Sequence, residues 1–202
     1  MADRRTRSTT GPEPSRTTAA RAAAIAEQLH HECGLLLELF RKKESLSADL
    51  TVADGRLVSV PPPSSQLDTR DKLWRLHSAL LQCRGLLERA ITKEEEELGG
   101  AEKGEYESQR KTVRDRLSLL LANTGELLKA TDGTAVLTPS LEGSEVDRPT
   151  VLFEVKLWIY RIFKELDYWT KTAITTLQAL PSAAARERGR SGGIRRNRSA
   201  RR

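Results

Sequence analysis

Hydrophobic residues recur at helical spacing in four stretches of this 202-residue chain. The pattern predicts helices over residues 17–46, 69–98, 105–131 and 149–180, because apolar side chains three and four positions apart share one face of a helix. No run of residues shows the alternation that is typical of a half-buried strand. The sequence therefore predicts an all-α domain, a four-helix bundle over residues 17–180.

One stripe of apolar residues in each of the first three helices is expected to face the core. In the first helix the stripe is Ala22, Ile25, Leu29, Cys33, Leu36 and Phe40, widened by Leu35, Leu37 and Leu39. In the second it is Leu73, Leu76, Leu80, Cys83, Leu87 and Ile91, and in the third Tyr106, Val113, Leu117, Leu120, Leu127 and Leu128. Thr17 or Thr18 and Asp68 are the candidate caps of the first two helices.

The last predicted helix carries two apolar faces. Its long stripe is Leu152, Val155, Ile159, Ile162, Leu166, Trp169, Ala173, Leu177 and Leu180. Phe153, Leu157 and Tyr160 point about 140–160° away from that stripe, with Lys156 at the border. This outward cluster is expected to be covered by a loop of the same chain or by a partner, and periodicity favours neither alternative.

The lengths of the connections predict the topology. About half a dozen residues join the second and third helices, which makes those helices antiparallel neighbours. The links 47–68 and 133–148 are long enough to return along a helix of about 45 Å, so each can join two parallel helices. An up-up-down-down bundle is the favoured prediction, and an up-down bundle with disordered insertions is the alternative.

The charge is concentrated in the carboxy-terminal tail. Residues 181–202 hold eight Arg and one Glu, whereas the net charge of the whole chain is +6, so the remaining residues sum to about −1. Residues 1–16 and 181–202 are predicted to be disordered. The tail is expected to be a solubilising segment with weak polyanion contacts; nucleic-acid binding, acidic membrane binding and nuclear import are the alternatives.

The remaining motifs argue against catalysis and against a cofactor. Cys33 and Cys83 are predicted to be free core thiols, and a disulfide between them is the alternative. His30, His31 and Glu32 are adjacent on one helix and do not converge on a metal. No phosphate loop, dinucleotide fold signature or nucleophile elbow is present, so the protein is not expected to be an enzyme. Residues 93–97 form a charge run that is interpreted as a solvated face.

No signal-peptide pattern and no membrane-spanning run occurs in the sequence. The chain is therefore expected in the cytoplasm. An extracellular role would then require non-classical release.

The last helix carries a family resemblance. It resembles the last helix of the interleukin-6-type long-chain helical cytokines, and within them of the ciliary neurotrophic factor group. The matching residues are Leu152, Phe153, Glu154, Lys156, Leu157, Trp158, Glu165, Leu166, Trp169, Thr170 and Ile174. The first long link adds Ser47, Ala53, Asp54, Gly55 and Val58.

The resemblance implies a growth factor that assembles receptors and activates JAK–STAT signalling in neurogenesis and differentiation. It implies contact with a leukaemia inhibitory factor receptor type of chain through Phe153 and Lys156, and binding of a shared signal transducer. With these two residues, Leu157 and Tyr160 complete the predicted receptor-binding set.

The resemblance also implies an alpha receptor as a partner. The family's basic alpha-receptor positions correspond here to Glu27, His30, Thr172 and Thr175, none of which is a lysine or an arginine.

A rival hypothesis from another class is an intracellular helical adaptor. Its Arg-rich tail would bind nucleic acid or direct nuclear import.

Overall fold

Four helices make up most of the computed structural model, which describes residues 14–47, 50, 55–98, 104–132 and 151–180. They are α1 (Pro14–Lys43), α2 (Thr69–Glu97), α3 (Glu105–Asp132) and α4 (Leu152–Gln178). No strand occurs within those ranges. The predicted all-α fold of four helices is confirmed.

The start of α1 differs from the prediction. The helix begins at Pro14, within the segment that was predicted to be disordered. Proline suits a first helical turn, because its backbone lacks an N–H where no intrahelical acceptor exists. Thr17 and Thr18 consequently lie inside α1, and the prediction that one of them caps the helix is wrong. Residues 1–13 and the Arg-rich tail 181–202 lie outside the described residues.

The start of α2 agrees with the prediction. The Asp68 side chain accepts a hydrogen bond of 2.7 Å from the backbone N–H of Asp71. This bond satisfies one of the free N–H groups of the first turn. Asp68 is therefore the N-cap.

Contacts between side chains show how the helices run. α1 and α2 each pack against both α3 and α4. On the α1–α4 interface His30 lies 3.1 Å from Asp167, and Glu44, just beyond α1, lies 2.7 Å from Lys156. Residue numbers rise on one helix as they fall on the other, so these two helices are antiparallel.

The interfaces of α3 complete the topology. Against α1, Arg116 pairs with Glu32 at 2.7 Å, and the Tyr106 ring lies 6.0 Å from the ring of Phe40. Against α2, Thr124 contacts His77 and Arg110 contacts Glu94. Both interfaces are antiparallel. The bundle is therefore up-up-down-down, as the lengths of the links predicted.

The core follows the predicted stripes closely. Every predicted stripe residue of α3 is buried, as are the main stripe of α1 and all but the last member of the α2 stripe, Ile91, which is partly buried. Trp169 is completely buried, as predicted for a core aromatic. Leu35, which was expected to widen the α1 stripe, is exposed instead.

The first long link is attached to two helices. Val58 and Val60 are buried in the core. The Ser59 N–H donates to Gln82 Oε1 of α2 at 2.9 Å, and the Gln82 amide donates back to Ser59 Oγ at 3.0 Å. Earlier in the link, Arg161 of α4 donates to the Gly55 carbonyl at 3.0 Å. The link therefore lies against both α4 and α2.

Among the described helices, none is long and apolar enough to cross a membrane.

Candidate functional site

Three consecutive large apolar residues are exposed where α4 begins. Val151, Leu152 and Phe153 have 56%, 51% and 56% of their surface accessible. We call these three residues the α4 patch. Exposed apolar residues that occur singly are common, whereas a contiguous group marks a candidate contact surface.

The antiparallel register explains this exposure. Lys156 lies level with Glu44, which already follows the last residue of α1. The first turn of α4 therefore extends beyond the end of α1. The prediction that Leu152 belongs to the core stripe is wrong, because α1 has no residue at that level for Leu152 to contact.

The residues of the outward cluster that periodicity predicted differ in their exposure to solvent. Phe153 is exposed, Leu157 is partly buried, and Tyr160 is only 5% exposed. Tyr160 shares one edge of α4 with Lys156 and Asp167, and both of these residues reach partners on the α1 side. The edge that faces α1 is thus wider than the predicted stripe. Tyr160 belongs to the core and not to an outward cluster.

Lys156 is held within the chain. Its ammonium lies 2.7 Å from Glu44 Oε2, and the side chains of Lys156 and Glu44 are 24% and 8% exposed. Lys43 lies 3.7 Å from the other carboxylate oxygen of Glu44. The charge on Lys156 is therefore already matched by a carboxylate at the edge of the α4 patch.

A left-handed residue sets the position of Glu44. The Leu46 N–H donates to the Arg41 carbonyl at 2.9 Å, and the Ser45 N–H donates to the Lys42 carbonyl at 3.4 Å. Ser45 has φ 52°. These are the two hydrogen bonds of a Schellman motif, which normally places glycine at this position. The turn ends α1 and leaves Glu44 beside α4.

A buried charge network lies next to this turn. Glu94 of α2 is 1% exposed and accepts from Lys43 at 2.5 Å, from Arg110 at 2.7 Å and from the Tyr106 hydroxyl at 2.9 Å. Both of its carboxylate oxygens are thus paired, as a buried charge requires. The interpretation of residues 93–97 as a solvated face is wrong at Glu94.

Through Lys43 the network continues to Glu44 and Lys156. The ends of all four helices therefore meet in one set of charged contacts, which we call the charge network: Lys43, Glu44, Glu94, Tyr106, Arg110 and Lys156. Burial and the Glu94 carboxylate raise the pKa of Tyr106 well above its usual range, so its hydroxyl remains a hydrogen-bond donor.

The positions that the family resemblance assigns to an alpha receptor lie along the α1–α4 interface. Gln178 donates to Glu27 at 2.8 Å, and His30 lies 3.3 Å from the Thr170 hydroxyl. The hydroxyls of Thr172 and Thr175 donate to backbone carbonyls one turn earlier. All four side chains therefore have partners within the chain.

Both cysteines are free and buried, as predicted. Burial raises the pKa of each thiol well above its usual range, with the Asp167 and Glu32 carboxylates adding to the effect at Cys33. Across the described part of the chain, no group of three or more His, Cys, Asp or Glu side chains could hold a metal ion.

An up-up-down-down bundle with long first and last links is the architecture of the helical cytokines. A sequence model of one such family, described as ciliary neurotrophic factor, matches residues 4–195. The chain therefore belongs to the ciliary neurotrophic factor family, which consists of interleukin-6-type cytokines and not of enzymes. Membership implies cytokine receptors as partners. No match was found among curated proteins.

Proposed function

We propose that this cytokine assembles cell-surface receptors of the interleukin-6 receptor class and thereby triggers JAK–STAT signalling. The proposed partner of the α4 patch is a chain of the leukaemia inhibitory factor receptor type, and a shared signal transducer would bind elsewhere on the bundle. The observation that carries the proposal is the exposure of Phe153 beside two further exposed apolar residues.

Phe153 has the properties of an aromatic anchor. Its ring projects from a helix whose next turns are fixed by core contacts at Val155 and Ile159. An anchor on a rigid element loses little conformational freedom when it enters a receptor pocket. Residues of this kind commonly contribute about 2 kcal/mol or more to binding.

The other predicted contacts have different roles under this proposal. Leu152 joins Phe153 in the apolar contact, although the periodicity placed it in the core. Tyr160 supports the helix from inside, and partly buried Leu157 lies at the margin of the contact. An alpha receptor is proposed only as an additional partner, because the four corresponding positions along the α1–α4 interface hold no lysine or arginine.

The test is receptor binding by Phe153→Ala. We expect its affinity for the immobilised receptor ectodomain to fall roughly thirtyfold, which corresponds to about 2 kcal/mol. STAT phosphorylation in receptor-bearing cells should fall with it, while the melting temperature stays unchanged.

Trp74→Ala is the matched control. Trp74 is also an exposed aromatic residue, 44% accessible, but it lies on α2. Its replacement should leave binding intact. Full receptor affinity in the Phe153 variant, or an equal loss in both variants, would contradict the proposal.

A further inference from the structure

The middle of α4 carries a second exposed surface, which is basic where the α4 patch is apolar. Arg161, Lys164 and Lys171 lie on the side of the helix that faces away from the core, and Arg56 of the first link lies over the same side. We call these four cations the basic row. We propose that the basic row binds a linear sulfated polysaccharide of the cell surface, independently of the receptor contact at the α4 patch.

The spacing along α4 arranges the cations in a line. Positions 161, 164, 168 and 171 follow one another at intervals of three and four residues, so they share one side of the helix. Ile162 and Trp169, which lie between them in the sequence, are buried on the other side. At about 1.5 Å per residue, the line from Arg161 to Lys171 is about 15 Å long. A line of this length suits an extended polyanion better than a single small anion.

The positive charge of the basic row is not neutralised within the structure. Among the described residues, no carboxylate forms an ion pair with any of the four cations. The two acidic residues of this stretch of α4 have other partners: Asp167 lies 3.1 Å from His30, and Glu165 accepts from the Trp169 indole N–H at 3.0 Å. The charge of the row is therefore available to a ligand.

Two guanidinium groups of the row are held by contacts between the link and α4. Arg161 Nη2 donates to the Gly55 carbonyl at 3.0 Å, and the Arg56 guanidinium lies 3.8 Å from the centre of the Tyr168 ring. A Cβ atom at position 55 would lie 3.2 Å from Arg161 Nη2, so glycine permits this close approach. Stacking on a ring leaves the N–H groups at the edge of a guanidinium for an anion. The site is thus partly organised before a ligand binds.

Sulfate groups match the chemistry of the basic row. Guanidinium and ammonium groups form charge-assisted hydrogen bonds with such anionic oxygens, and a guanidinium can bind two oxygens at once. A single-stranded nucleic acid would stack its bases on exposed aromatic rings, but Tyr168, the aromatic residue of this face, already carries Arg56 on its ring. A membrane surface would need large apolar residues beside the cations, and none is exposed between residues 161 and 171. A sulfated polysaccharide requires neither feature.

The position of the basic row is compatible with receptor binding. The row begins eight residues after Phe153, which is about 12 Å along the helix. A polysaccharide on the row therefore leaves the α4 patch exposed, and it raises the local concentration of the cytokine near cell-surface receptors.

The test is the affinity of the full chain for immobilised heparin, with Lys164→Gln and Lys171→Gln combined in one variant. The Arg-rich tail is present in every variant, so its contribution to binding stays constant. We expect the affinity at physiological salt to fall about tenfold. The slope of the logarithm of affinity against the logarithm of salt concentration should become shallower by about two contacts.

The matched control combines Lys111→Gln and Lys129→Gln, which change two exposed lysines of α3 and alter the net charge equally. This variant should bind heparin nearly as tightly as the parent protein. An equal loss of affinity in the two double variants would show that heparin responds to net charge alone, and it would overturn the proposal.

A third variant tests the arrangement of the site apart from its charge. Arg56→Lys keeps the charge but removes the planar group that stacks on Tyr168, and it should lose about threefold in affinity. Unchanged affinity in this variant would also overturn the proposal, because the stacked guanidinium would then have no part in binding.

The class of ligand is tested by competition at one ionic strength. Heparin without its sulfate groups should bind far more weakly than intact heparin. Tighter binding of a DNA oligonucleotide, or of vesicles that contain phosphatidylserine, through the same two lysines of α4 would assign the basic row to another ligand and refute the proposal.

Two further measurements separate this site from the proposed receptor contact. The variant with Lys164→Gln and Lys171→Gln should keep its melting temperature and its affinity for the immobilised receptor ectodomain. Loss of either would contradict a separate polysaccharide site. Failure of the proposed function would look different, because Phe153→Ala would then bind the receptor normally whatever the heparin measurements show.

Discussion

The Glu94 carboxylate of α2 lies 2.7 Å from the Arg110 guanidinium of α3, with both side chains almost fully withdrawn from water. Lys43 and the Tyr106 hydroxyl also donate hydrogen bonds to this carboxylate. A charge in this position joins three helices by hydrogen bonds that water cannot replace. Removing it takes the nearest counter-ion from buried Arg110 and from Lys43.

We therefore expect Glu94→Gln to lower the free energy of unfolding by about 3 kcal/mol, at the lower end of what breaking a buried ion pair costs. For a chain of this size the melting temperature should fall by roughly 10 °C. Glu96→Gln, at an exposed position of the same charge run, should stay within about 0.5 kcal/mol of the parent protein. Equal stability of the two variants in thermal and urea unfolding would contradict the buried network.

Ser45 is the position where a substitution should stabilise the protein. Its φ of 52° is unfavourable for a residue with a Cβ atom, and glycine adopts it freely. Part of the gain is lost to the greater freedom of glycine in the unfolded chain. Ser45→Gly should raise the free energy of unfolding by about 0.5 kcal/mol, measured in urea. Ser45→Val should lower it, since β-branched residues tolerate this conformation poorly.

Tyr160 is buried and Phe153 is exposed, so their substitutions should differ in their effect on stability. Tyr160→Ala should lower the free energy of unfolding by about 3 kcal/mol, because it empties a site in the core. Phe153→Ala should change it by less than about 0.5 kcal/mol. Calorimetry of both variants gives the comparison. A stable Tyr160 variant with impaired receptor affinity would show instead that this side chain binds the receptor.

His77 should make stability depend on pH. Burial lowers its pKa below the usual 6.5. Thr124 donates its hydroxyl to the Leu121 carbonyl at 3.1 Å, which leaves its oxygen to accept from His77 Nδ1 at 2.9 Å. The unfolded chain therefore takes up a proton at higher pH than the folded chain does.

The stability contributed by neutral His77 is complete above about pH 6.5 and decreases as the pH falls below that value. In urea unfolding, the free energy of unfolding should fall between pH 7.5 and pH 5, and it should fall less in His77→Gln than in the parent protein. His31→Gln, which changes an exposed histidine, should retain the full loss. Identical pH profiles for the parent protein and His77→Gln would contradict the role of His77.

The two thiols should react only after the protein unfolds. Burial raises the pKa of Cys33 and Cys83, and both sulfur atoms are withdrawn from solvent. A thiol reagent should therefore label the native protein at its unfolding rate and label both residues at once in urea. Rapid labelling of one thiol in the native protein would show that it is accessible.

The periodicity of the sequence predicted burial wherever a helix contacts other helices along its whole length. Leu29 and Leu117 illustrate this, because each lies at the centre of an apolar stripe and is buried by the helices on both sides. Lengths of links were equally informative, since a short link and two long ones allow few bundle topologies. These features depend on local spacing and chain reach, which a single sequence contains.

Errors arose where a partner from a distant part of the chain determines the environment. Glu94 differs from the neighbouring glutamates in being buried, where it accepts hydrogen bonds from Tyr106 and from Arg110, sixteen residues later on another helix. Leu152 has the spacing of a core residue but lies beyond the end of α1. The spacing of Lys156, Tyr160, Phe163 and Asp167 could have revealed the wider edge of α4, since they follow one another at intervals of three and four residues.

The arrangement of the interfaces also has a consequence for biosynthesis. In the described structure α1 and α2 pack against α3 and α4 and share no comparable interface with each other. The first half of the chain therefore emerges from the ribosome as two amphipathic helices without partners for their apolar faces. The core can close only when α4, the last of the described helices along the chain, becomes available. A growing chain that stalls before residue 152 would expose the apolar stripes of three helices, and it would be a substrate for chaperones before it could become a cytokine.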